Sequence, residues 1–508
     1  METTESALTV SESREPRTDS LAESDEDRFH TAFVWTAAAL AMAVLWIKPM
    51  VSSLWTDELG TWWVINGSAH QVVERAQAVQ GQSPFYYLIA WIMRLLVGRS
   101  EFWLRFPSLV FLLAAAFLIY RIAKRLIDVE AARIAVVAFA VWPSIAFAAS
   151  DARPYALATL VAVASTWALI SWLDSARFAG GVLYVLLAAS IPFVHPVFGL
   201  VLIPQAVYAV ARIRERTTPV RTRELLIAAI SIGVLTIPVL VELLALSRRQ
   251  DDWIVPNTAS VSWVTHMLVP PAFVGAALIG GLVASRHVRF GGQLRGLPRS
   301  TVVLLVGWLL IPTAFLVGLS IVSPIALLPA RYFLCIAPAG VLLAALAIRV
   351  LDPPQVRRII ILLIVIFSVL DLAAPAKSGD MRGALALVRS VAGQQSVVLI
   401  NAGFQESLQK DWYTDPERQG LLTAATSFYP VPGTVVPLPV DLNDSTLDFI
   451  RLQVANSIAQ TDDVIVLTET GSSYGPWFDE YMAQRGWTSN HVGDVTLFTV
   501  TEFQRTPA

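Results

Sequence analysis

"PFYYLIAWIMRLLVG", residues 84–98, is apolar enough to enter a bilayer, yet it is fifteen residues long and carries Arg94. A helix needs about 20 apolar residues to cross the hydrocarbon core. Whether this stretch crosses sets the direction of every later segment, and the flanking charges decide the matter. The next apolar run, 103–122, ends in "YRIAKRL", with Arg121, Lys124 and Arg125. If 84–98 crossed, those cations would lie outside, against the excess of Lys and Arg found in cytoplasmic loops. The stretch is therefore read as a juxtamembrane helix lying on the outer surface, within an outer loop spanning 53–102. So long a loop, partly amphipathic, usually has a function of its own.

Working outward, long apolar stretches recur over the first three quarters of the 508 residues. The chain is 55% hydrophobic and 15% charged, where a soluble domain carries about 25% charged residues. It reads as an α-helical polytopic membrane protein. Eleven transmembrane helices are expected, at 31–52, 103–122, 134–150, 155–173, 180–194, 197–211, 225–246, 264–284, 300–321, 333–350 and 359–373. Arg133, the five arginines of "RIRERTTPVRTR" (212–223), the group Arg286, Arg289, Arg295 and Arg299, and then Arg349, Arg357 and Arg358 all fall on one side. With that side cytoplasmic, the N-terminus is inside and the C-terminal region is extracytoplasmic, in the cell membrane. Residues 1–30 hold nine acids against three arginines and are expected to be a disordered cytoplasmic tail rather than a secretory signal.

The transmembrane module is expected to occupy 31–376, followed by a small α/β domain at 377–508. There, strand-like runs at 396–400, 463–468 and 495–500 alternate with helical patterns at 380–393, 446–459 and 476–485. "PVPGTVVPLP" is read as a Pro-rich connection between them. Several chemistries are excluded or unsupported. A single cysteine, Cys335, rules out an internal disulfide or a CxxC metal site. Six histidines show no HxxxH or HExxH spacing, and no GxGxxG or P-loop pattern occurs. No nucleic acid partner is expected.

On this topology the outer turns collect the ionisable residues. Asp57 and Glu58 open the first outer loop in "LWTDELGTWW" (54–63). "ASDARPY" places Asp151, Arg153 and Tyr155 at the next outer turn, and "VHP" places His195 at the one after. "SRRQDDW" brings Arg248, Arg249, Asp251 and Asp252, and "ARYF" brings Arg331 and Tyr332. Each has a plainer reading. Trp55, Trp62 and Trp63 fit an interfacial aromatic belt, arginines at span ends snorkel, and His195 beside Pro196 fits a structural turn. Five outer turns offering both signs of charge at one level favour a single membrane-surface site.

Asp57-Glu58 after the first span, then "SPFYYLIAWIMRLLVGRSEFWLRFPSLVF", "SDARPYAL" and "ARYFLCIAPAG", resemble the GT-C glycosyltransferases. The resemblance covers about residues 31–350 and is strongest to bacterial relatives of the protein O-mannosyltransferases and of the lipid A aminoarabinose transferase. It implies transfer of a sugar, hexosyl or pentosyl, from a polyprenyl-phosphate donor to a hydroxyl outside the membrane. Membrane lipids surround the enzyme, and the acceptor is a glycan, a lipid or a protein. The resemblance makes Asp57 the general base, with Glu58 orienting the acceptor or a nearby arginine. Neighbours on a helix point about 100° apart, so the two acids do not form a facing pair. The leaving phosphate calls for cations, and Arg331 and Arg153 are the candidates, followed by Arg248 and Arg249. Asp151, Tyr155, His195, Tyr332 and Tyr86 are further site candidates, as is Gln82, which stands where many relatives carry a histidine. One base and direct displacement predict inversion at the anomeric carbon. Asp57 and Asp151 are hard ligands of the kind Mg2+ or Mn2+ takes, but no metal is assigned, because the resembling enzymes include both kinds. The alternatives are a transporter or flippase of a lipid-linked glycan, which should show repeats and mid-membrane charges, and a glycan polymerase or ligase.

Overall fold

The computed structural model describes residues 25–78, 84–247, 261–284, 289–290, 296–322, 330–372, 379–401 and 403–506. Among these, six helices are long and apolar enough to cross a membrane: Arg28–Val51, Glu101–Leu126, Tyr155–Ser175, Pro196–Arg214, Thr222–Leu244 and Arg299–Ile321. A seventh forms if Val129–Val141 and Pro143–Ala149, bent by 67° where Pro143 breaks the ladder, count as one. The expected spans at 180–194 and 333–350 are shorter helices, Phe178–Val194 and Ala337–Arg349. The one at 264–284 is broken into Val261–Leu268 and Pro271–Ala284, and the last is Pro354–Leu372. Each expected segment is thus helical, while fewer than eleven have the length of a full span.

Residues 84–98 hold a helix of their own. Pro84–Val97 is a separate helix of 14 residues, about 21 Å long at 1.5 Å per residue, which is too short for a hydrocarbon core of about 30 Å. It packs on Ala69–Ala78, and with Thr56–Ile65 these helices build the long loop.

Ion pairs gather the predicted cytoplasmic charges at one end of the bundle. Arg125 and Arg212 both hold Asp174, at 2.8 and 2.9 Å. Arg349 lies 2.8 Å from Asp128 and 3.1 Å from Glu130, and Arg357 bridges Glu130 and Asp352. The helices Glu101–Leu126 and Tyr155–Ser175 run from these pairs to the opposite end, where Arg105 and Tyr155 meet the residues around Asp57.

The C-terminal region forms a five-stranded sheet, β1 (Val397–Asn401), β2 (Thr434–Leu438), β3 (Asp463–Glu469), β4 (Trp487–Val495) and β5 (Phe498–Arg505), in the order β2-β1-β3-β5-β4. β1 runs parallel to β2 and β3, and β5 runs antiparallel to β3 and β4. Helices Met381–Val391, Leu447–Ile458 and Tyr474–Ala483 match the helical patterns. Two readings need correction. "PVPGTVVPLP" contains β2, and Pro437 is tolerated because β2 is an edge strand. The expected strand at 495–500 instead straddles a hairpin turn, with Thr496 at a φ of 52°.

This sheet region is docked on the long loop. The Tyr429 hydroxyl accepts from the Leu54 amide at 3.0 Å, and Ser53 Oγ accepts from the Arg382 amide at 2.9 Å. Trp62 donates to Ser427 Oγ and Trp63 to the Glu417 carbonyl, each at 3.1 Å. Both tryptophans are buried. The interfacial-belt reading therefore fails for them, because their indoles fill a protein interface rather than a lipid headgroup layer.

Candidate active site

Asp57 and Glu58 lie in the first turn of Thr56–Ile65, where acids suit the helix dipole. They diverge as adjacent helical residues must. Asp57 Oδ2 meets Arg331 Nη1 at 2.7 Å, with both side chains partly exposed. Arg331 comes from the short helix Ala330–Cys335, which carries "ARYF".

Glu58 turns to the opposite, fully buried side. Arg105 holds both of its oxygens, Nε to Oε1 at 2.7 Å and Nη2 to Oε2 at 2.5 Å. Arg105 also donates to the carbonyls of Pro49, Met50, Ser52 and Ser53, at 2.7 to 3.1 Å. The Ala152 amide adds a hydrogen bond of 2.9 Å to Glu58 Oε1. Glu58 thus orients an arginine, as one reading had it. It is fully buried, so it is placed to orient Arg105 and not an acceptor. Arg105 was not singled out from the sequence. The available signal was an arginine in the first turns of an apolar span, which demands partners.

The next outer turn closes on Asp57. Arg153 is buried, with Nη1 at 3.4 Å from both the Asp57 carbonyl and the Tyr87 hydroxyl. Asp151 accepts from the Trp55 indole at 2.9 Å. Tyr86 faces away: its hydroxyl pairs with Ser108, which donates to the Asp151 carbonyl. Tyr86 therefore supports the turn from behind, and its neighbour Tyr87, passed over in the sequence, reaches Arg153.

His195 lies between the rings of Tyr155 at 5.2 Å and Tyr332 at 5.7 Å. Burial, then Arg153 and Arg331, push its pKa down to about 3. Both causes favour the neutral ring. In the unfolded chain His195 titrates near the ordinary 6.5. Between the two values the unfolded state binds the extra proton, and stability falls as pH drops from 6.5 toward 3. His195→Gln should flatten that fall, as read from thermal unfolding midpoints in detergent across this window.

The site thus joins Asp57, Asp151, Arg153, Tyr155, His195, Arg331 and Tyr332 from four stretches of chain. Arg248, Arg249, Asp251, Asp252 and Gln82 lie outside the described residues. Among the described residues, no three His, Cys, Asp or Glu side chains group as a metal site.

Beside Arg331 opens a cavity of about 370 Å³, lined by Trp55, Phe147, Tyr155 and Phe333 among others. A second, of about 850 Å³, is lined almost wholly by apolar side chains of the helices Pro271–Ala284, Ala337–Arg349 and Pro354–Leu372. Trp142 and Pro270 line both cavities. Charge at one end and hydrocarbon lining at the other suit an amphiphile with an anionic head.

Residues 81–241 match the family model of dolichyl-phosphate-mannose-protein mannosyltransferase. No curated protein matches the sequence. Among solved structures, the chain is similar to ArnT from Cupriavidus metallidurans in the apo state, at 12% identity and a TM-score of 0.54, covering 93% of this chain and 98% of that one. The same protein bound to undecaprenyl phosphate matches at 13% identity and a TM-score of 0.53, with the same coverage. The chain thus shares the fold of ArnT along nearly its whole length, and residues 81–241 within it match the mannosyltransferase model.

Proposed function

We propose that this protein is a membrane glycosyltransferase. It moves a sugar from a polyprenyl-phosphate donor to an acceptor hydroxyl on the extracytoplasmic side, with inversion at the anomeric carbon. The observation that carries this reading is the Asp57–Arg331 pair at 2.7 Å, with Arg331 at the mouth of an apolar cavity. It supplies an acid and a cation at one point, where a lipid phosphate would arrive.

The geometry supports the following mechanism. The donor phosphate competes with Asp57 for the Arg331 guanidinium, and its tail lies along the cavities that share Trp142. Arg153, whose Nη1 lies 3.4 Å from the Asp57 carbonyl, is the second cation. Released from Arg331, Asp57 takes the proton of the acceptor hydroxyl as that oxygen attacks the anomeric carbon. The bond to the phosphate oxygen breaks, and the electron pair leaves on a phosphate that the arginines stabilise. No acid is needed at the leaving group, in contrast to glycoside hydrolysis. Neutral His195, between Tyr155 and Tyr332, shapes the pocket without adding charge.

The test uses the purified chain in vesicles with polyprenyl-phosphate mannose labelled in the sugar. Consumption of donor with release of polyprenyl phosphate supports transfer. Movement of intact donor across the bilayer without consumption would instead establish a flippase.

A further inference from the structure

Two of the membrane-length helices meet at the end of the bundle away from Asp57, where Arg212 holds Asp174. Leu202–Arg214 finishes there and Arg299–Val322 begins there, so the two run antiparallel. Farther into the bundle they touch directly: a β-carbon placed on Gly307 would lie 3.7 Å from Pro204 Cβ. At their ends they are tied again, where Glu215 Oε1 accepts from the Ser300 amide at 2.9 Å. Between these two contacts a groove of about 620 Å³ opens. Val207, Val210 and Arg214 line it from one helix, at spacings that share a face. Arg299 and Val303 line it from the other.

From Pro204 to Arg214 the helix rises about 15 Å at 1.5 Å per residue. That is the depth of one leaflet of a hydrocarbon core about 30 Å thick. The wall is apolar along this depth, and Val207 and Val210 are exposed. The mouth carries Arg214 and Arg299, both exposed. Among the described residues, neither guanidinium has an ion pair or a hydrogen bond. The neighbouring Arg212, Arg349 and Arg357 are all spent on acids of this chain. Glu215 is the one acid lining the groove, and the Ser300 amide engages it. Two cations against one acid leave the mouth positive.

We propose that this groove binds one anionic phospholipid from the adjoining leaflet. Its phosphate lies between Arg214 and Arg299, and an acyl chain follows Val207, Val210 and Val303. Cations at the headgroup level and an apolar channel one leaflet deep match the two halves of that molecule. Basic pockets between spans take such head groups. A soluble phosphate would use the arginines and leave the channel empty. The polyprenyl donor is not the occupant, because Asp57 and Arg331 lie at the other end. The bound lipid fills the wedge between the two helices and holds their ends together, so it should also stabilise the fold. None of this depends on the transferase reading.

The test uses the full chain in detergent, titrated with phosphatidylglycerol or phosphatidylcholine and read by native mass spectrometry. Wild type should hold one phosphatidylglycerol more tightly than phosphatidylcholine, and phosphatidylglycerol should raise its thermal midpoint. Arg214→Gln with Arg299→Gln should weaken phosphatidylglycerol by about twenty-five-fold, about five-fold for each arginine, and remove most of that thermal rise. Val210→Trp keeps both charges and fills the channel, and it should weaken phosphatidylglycerol as well. Lipid-free midpoints near wild type show that the variants are folded, as expected for exposed positions. Equal binding of the two lipids by wild type overturns the inference, as does unchanged affinity in the double variant. Full affinity in Val210→Trp also overturns it, because the arginines would then attract lipid without the groove. Displacement of the lipid by an equal concentration of glycerol phosphate would show a site for a soluble anion instead.

Discussion

Asp57→Asn should lower sugar transfer by about a hundred- to ten-thousand-fold, the range for loss of a positioned general base. Asparagine keeps the size of the side chain and can still accept a hydrogen bond from Arg331, so the site keeps its shape. What it loses is the ability to take the proton of the acceptor. Donor binding should move the other way or not at all. With the carboxylate gone, Arg331 no longer divides its charge between Asp57 and the lipid phosphate. A variant that binds undecaprenyl phosphate as well as wild type, or better, and fails to transfer separates this role from a structural one. Transfer within threefold of wild type would remove Asp57 from the chemistry.

The second large effect concerns folding. Arg105→Met should cost about 3–5 kcal/mol, because breaking a buried ion pair from one side leaves the other charge stranded. The stranded group is Glu58, which is fully buried, and four backbone carbonyls lose their shared donor as well. Against a total stability of about 5–15 kcal/mol, that loss should lower the unfolding midpoint in detergent steeply and reduce the folded yield. The double variant Arg105→Met with Glu58→Leu should recover part of the loss, since it removes the uncompensated charge. Recovery stays incomplete, because the carbonyls of Pro49, Met50, Ser52 and Ser53 remain without their arginine. An unchanged midpoint in Arg105→Met would show that Arg105 does not anchor the turn carrying Asp57.

The course of the chain was legible where periodicity and charge act locally. The apolar run at 84–98 marked that segment as a helix of its own. The angle between adjacent helical residues was enough to send Asp57 and Glu58 to different partners. Their partners are another matter. Arg331 is 274 residues from Asp57, and Arg105 is 47 residues from Glu58. Arg331 was accessible through the shared level of the outer turns. Arg105 sits inside an apolar run, where the eye follows the hydrophobic pattern rather than the exception to it. Trp62 and Trp63 misled for a related reason. An indole at a span end looks the same whether a lipid headgroup or a second folded unit covers it, and only the docked 417–429 segment decides. In the C-terminal sheet, β3 and the helices were visible as buried periodic runs. β2 was hidden because its edge position tolerates the proline that normally marks a connection.

The most direct test of the site is a structure of the full chain with undecaprenyl phosphate bound. The phosphate should lie about 3 Å from the Arg331 guanidinium, displacing it from Asp57, with the tail against the apolar side chains around Trp142. A phosphate seated away from Arg331, with the Asp57–Arg331 pair intact beneath it, would contradict the proposed chemistry.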